Sequence, residues 1–93
     1  MGTMVRVFKF QVGSKEVVVK VFDDTHEWFA RKLAHEAEKV LGDSESVVYC
    51  PGGFMTEFGL GGEYAVCHDG FMVSRGGNTI VVEEVGYVRE KIM

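Results

Sequence analysis

Two β-branched and aromatic runs, MVRVFKFQV (residues 4–12) and EVVVKVF (residues 16–22), flank Gly13-Ser14, and no other feature limits the fold so strongly. Gly at the first central position of a two-residue loop suits a type II′ turn, because glycine takes positive φ without a steric penalty. That loop places Val12 opposite Lys15, Phe10 opposite Val17 and Phe8 opposite Val19. Phe8, Phe10, Val17, Val19 and Val21 then share one face, while Lys9, Gln11, Glu16 and Lys20 share the other. A slip of one residue would mix the two sets, so turn chemistry and face sorting specify the same register. The second face is not wholly polar. Val5, Val7, Val18 and Phe22 also lie on it, with Val5 opposite Phe22. This makes a candidate partner or dimer surface unless later strands or the tail cover it.

The next segment, DDTHEWFARKLAHEAEKVLG (residues 23–42), carries a helical period. Phe29, Ala30, Leu33, Ala34, Ala37, Val40 and Leu41 form one apolar stripe, and its small residues predict close packing on a sheet. Asp24 or Thr25 is the expected cap, with Glu27 completing a capping box, and Gly42 is the expected stop. Glu27 and Arg31 are spaced as a favourable i, i+4 pair.

From Ser46 onward the chain reads as a glycine-turned meander of four to five short strands: Val47–Cys50, Met55–Leu60, Tyr64–His68, Phe71–Ser74 and Thr79–Val85. Asp69-Gly70 is the strongest turn signal among them, Gly61-Gly62 is weaker, and Arg75–Asn78 reads as a longer turn. Pro51 ends the first strand or places it at an edge. The tail GYVREKIM is compatible with strand or helix. The whole predicts a single α+β domain over residues 1–93, ββαββββ, with one amphipathic helix on a mainly antiparallel sheet. A β-grasp-like order is compatible with this, since ββαβ is shared with ubiquitin-like domains. No motif supports that relation, and Arg75-Gly76-Gly77 is internal rather than a free diglycine tail.

Ninety-three residues leave room for one core, and 46% hydrophobic with 26% charged residues is the balance of a folded domain. No apolar run approaches a membrane span, and the N-terminus lacks the regions of a signal peptide, so the expected compartment is the cytoplasm. The net charge is −4, and no Lys or Arg occurs between Lys39 and Arg75, where Asp43, Glu45, Glu57, Glu63 and Asp69 fall. Phosphate binding needs the opposite sign, which disfavours nucleic acid as a partner. Asn78 and Gln11 are the only side-chain amides, a scarcity that hints at a thermophilic source.

Little in the chain looks like chemistry. Cys50, Cys67 and His68 are weak metal candidates: the cysteines are 17 apart, and neighbours in a strand point to opposite faces. We expect small buried thiols and no metal or other cofactor, with a Cys50–Cys67 disulfide as an alternative. Gly59–Gly62 lacks a phosphate-loop spacing. Asp23-Asp24 and Glu83-Glu84 are adjacent pairs that diverge, and His26 falls in the apolar stripe, so neither supplies an acid–base site. One helix face stands out. Trp28, Lys32, His35 and Lys39 follow an i, i+4, i+7, i+11 line off the core stripe, with Arg31 beside them. A tryptophan among cations on a helix exterior suits a contact hot spot, or a ring half-covered by a neighbouring cation. The expected function is a small non-enzymatic binding or regulatory module acting on a partner protein or a second copy of itself. A thiol or metal protein using Cys50, Cys67 and His68, and a weak nucleic-acid binder using the cationic helix face, are the alternatives.

Overall fold

The computed structural model describes residues 5–50, 54–59 and 62–92, and the side chains of residues 5–50 and 70–86. Val5–Val12 (β1) and Lys15–Phe22 (β2) form the N-terminal hairpin, and Glu27–Leu41 (α1) is the helix. Ser46–Tyr49 (β3), Phe54–Gly59 (β4), Gly62–Gly76 (β5) and Thr79–Ile92 (β6) follow. Five strands lie in the order β1-β2-β6-β5-β3, and β4 pairs with β5 outside that path. The β2–β6 pair is parallel and the others are antiparallel, so the sheet is mixed. This is an α+β fold with one helix on one sheet face.

The hairpin holds the predicted register, Phe8 opposite Val19, Phe10 opposite Val17 and Val12 opposite Lys15. Gly13 has φ 61° and no non-glycine residue among the described residues has positive φ, which fits type II′ and excludes type I′ at this turn. Val17, Val19 and Val21 of β2, Ile80 and Val82 of β6, and Phe71 and Val73 of β5 make the sheet side of the core. Ala30, Leu33, Ala34, Ala37 and Leu41 meet them from the helix. Three alanines in that stripe let the helix axis come close, so the β-branched side chains below are sealed without large residues above them. Phe8 and Phe10 sit on the same face but are only partly buried, because β1 is the outermost strand of the path.

Both helix ends are held by distant strands. Gly42 (φ 54°) ends the helix as predicted, its N–H donating to the Glu38 carbonyl. The Arg75 guanidinium donates to the Gly42 carbonyl from β5, placing a cation on the helix C-terminus. The predicted capping box does not form. His26 is the N-cap and its side chain makes no cap hydrogen bond. Thr25 Oγ1 instead donates to Glu84 Oε1 at 3.3 Å, and Glu27 pairs with Arg31 at 3.1 Å. A tertiary partner has taken Thr25, and a neighbour in the same helix has taken Glu27.

Asp69-Gly70 is not a hairpin turn. The segments Tyr64–His68 and Phe71–Ser74 belong to one strand, and the tail continues β6 to Ile92. Cys67 pairs with Val88 and Phe71 with Glu84 in one register, while Gly70 and Gly86 between them pair one step out. Two opposed bulges thus cancel, and Gly86 takes φ 76° to make one of them. The turn between β5 and β6 is the two-residue Gly77-Asn78, closed by Gly76 opposite Thr79, rather than the longer Arg75–Asn78. Pro51 and Gly61 lie outside the described residues.

Candidate functional site

The outer face of α1 carries the predicted line. Trp28 is 67% exposed, and Arg31, Lys32, His35 and Lys39 are exposed along the same side of the helix. The cause is geometric: the apolar stripe fixes which side meets the sheet, and these positions fall opposite it. Lys32, His35 and Lys39 make no ion pair among the described residues. Arg31 differs. Its guanidinium lies 3.1 Å from Glu27 Oε2 and stacks 4.9 Å over the Phe10 ring, so it leans toward β1 and away from Trp28.

Among the described residues no cation stacks on the indole. Its ring neighbours are His26, parallel at 6.4 Å, and Phe29, edge-on at 5.8 Å. His26 is therefore not part of the apolar stripe. The helix begins at Glu27, and His26 keeps extended backbone (φ −78°, ψ 150°), which swings the imidazole out beside Trp28. His26 thereby joins this surface, a residue the helical period alone assigns to the core. Phe29 links the surface inward, since its ring lies 6.2 Å from that of buried Phe71.

The second predicted surface lies on the sheet face opposite the helix. Val5 and Val7 are 62% and 53% exposed, while Val18 and Phe22 are half-buried. Met72 pairs with Glu83 and Val48 with Met72 on that face, and Val81 lies beside Val18. Met72, 37% exposed, extends the apolar surface beyond the four residues expected from the hairpin. The alternation in FMVS carries that signal, but only the β5 register assigns it a face. No described element packs there, since α1 lies on the other side.

Cys50 follows β3 and is disulfide-bonded, and the sequence holds one other cysteine, Cys67. The backbone of Cys67 pairs with Phe54 and Val88 in β5, and His68 follows it; their side chains lie outside the described residues. Among the described residues no group of three His, Cys, Asp or Glu is placed to hold a metal ion. Among the described residues, Tyr49 of β3 is the titratable group with a displaced pKa. Burial raises it above 10.0, and the nearby charge of Glu36 adds to the effect. No helix among the described residues is long and apolar enough to cross a membrane. Comparison with protein-family models, with curated proteins and with solved structures finds no match.

Proposed function

We propose that the chain is a small non-enzymatic binding or regulatory module that works by protein–protein contact through the outer face of α1. The observation that carries this is Trp28, an indole two-thirds exposed beside Lys32, His35 and Lys39, none of which has an ion-pair partner among the described residues. Leaving a large aromatic in water forgoes the stabilisation that burial would give, and tryptophan is enriched at binding hot spots. An acidic, partly apolar surface would bury the ring while the cations guide encounter and orientation. That surface belongs to a partner protein or to a second copy, whose exposed Asp43 and Glu45 have the required sign.

Nucleic acid fits less well, because the face offers few cations on a chain of net charge −4. A thiol function is weakened by the bonded state of Cys50. The same bond bears on the compartment: cytosolic chains seldom keep disulfides outside hyperthermophiles, so a cytoplasmic setting goes together with a thermophilic source.

The test is capture from native extract on immobilised wild-type chain and Trp28→Ala side by side, with sedimentation of both to detect self-association. A partner or dimer held by wild type and lost in the variant, at equal melting temperature, supports the reading. Equal retention by both removes it.

A further inference from the structure

A surface independent of Trp28 is the outer edge of β1. β1 is the outermost strand of the path, eight residues long and in unbroken register with β2, with no proline or bulge to blunt its edge. The two-residue turn makes Val12–Lys15 the hydrogen-bonded pair. Antiparallel alternation then assigns Phe10, Phe8 and Arg6 to the pairs bonded with β2. The N–H and C=O groups of Val5, Val7, Lys9 and Gln11 therefore point away from the sheet, ready for another strand.

Charge decides which strand. β1 carries Arg6 and Lys9 and no carboxylate, in a chain of net charge −4. On the helix side, Phe8 and Phe10 stack at 6.1 Å, with Arg6 4.9 Å over the first ring and Arg31 4.9 Å over the second. Glu27 offsets Arg31, and Arg6 donates to the Thr25 carbonyl, but neither Arg6 nor Lys9 has a carboxylate partner among the described residues. A second β1 would bring four such cations to one edge, whereas an acidic strand would neutralise them. We propose that the edge of β1 receives an extended acidic segment of a partner protein as an added strand. Its main chain would bond Val5, Val7, Lys9 and Gln11, and its carboxylates would meet Arg6 and Lys9.

The full chain, labelled with nitrogen-15, tests this against a capped peptide of glutamates and valines in alternating pairs, which presents carboxylates on both faces of a strand as Arg6 and Lys9 require, and its lysine-for-glutamate counterpart. The amides of Val7, Lys9 and Gln11 should exchange rapidly in the free chain and become protected by the acidic peptide alone. Lys9→Glu should weaken that binding about tenfold or more, since a like charge then faces the peptide. Val7→Pro removes an outward N–H that β2 does not use, so it should abolish protection while the fold persists. Failure of the acidic peptide to bind, equal binding of both peptides, or shifts confined to the helix face would overturn the proposal. So would protection of the same amides that rises with protein concentration alone, which would assign the edge to a second copy.

Discussion

Thr25 and Glu84 are 59 positions apart, yet the threonine hydroxyl donates to Glu84 Oε1 at 3.3 Å. The same oxygen accepts the Phe22 amide at 3.1 Å, so one carboxylate from β6 fixes the exit of β2 and the approach to α1. Glu84→Leu leaves the part-buried Phe22 amide without its acceptor and should cost about 1–3 kcal/mol in denaturant unfolding. Thr25→Val removes one donor only and should cost less. Equal, negligible losses in both variants would show that the helix start is held by other means.

Phe71 is fully buried at the centre of the sheet, whereas Phe10 is half-covered on β1. Phe71→Ala should therefore cost about 3–5 kcal/mol by urea unfolding, the range for a large core truncation. Phe10→Ala should cost clearly less, despite the identical chemistry of the substitution. A reversed order would place the core nearer the hairpin edge.

Gly86 takes φ 76° opposite Gly70, and a Cβ there would come no nearer than 4.0 Å to Phe22 Cζ. Space is available, so backbone conformation sets the cost of Gly86→Ala, about 1–2 kcal/mol. The amide shifts that move should cluster at the paired bulges. A neutral substitution would mean that the bulge does not require positive φ.

These bulges mark where local sequence signals mislead. Asp69-Gly70 has the chemistry of a tight turn, but β3 and β6 flank Phe71–Ser74 on its two sides and carry β5 straight through. The glycine serves a register step instead. The hairpin is legible because Gly13-Ser14 and the face pattern of both strands agree, so no long-range information is needed. The Trp28 face is legible for the same reason, since the helical stripe determines its opposite. His26 is not, because its place follows from the helix starting at Glu27 with Thr25, an expected cap, bonded to Glu84 instead.

Burial and the Glu36 charge raise the Tyr49 pKa, so the folded chain holds the phenol proton more tightly than the unfolded chain does. That contribution is complete below the ordinary value of about 10 and is lost as pH rises through the higher folded value. Alkaline unfolding should show this loss in wild type and not in Tyr49→Phe. Glu36→Gln should bring the Tyr49 titration, followed by ultraviolet absorbance, part of the way back. A Tyr49 that ionises in the ordinary range would contradict its environment.

Trp28 is the only tryptophan, so its fluorescence reports the proposed contact without a label. Acrylamide quenching of the free chain and of its complex with the captured partner, or of its self-associated form, tests the central claim directly. With the indole 67% exposed, quenching should be efficient in the free chain. It should fall sharply in the complex as the ring is buried, and Trp28→Ala should weaken that complex by about 2 kcal/mol or more, the hot-spot scale. Unchanged quenching on association, or a Trp28 already shielded in the isolated chain, would contradict the account.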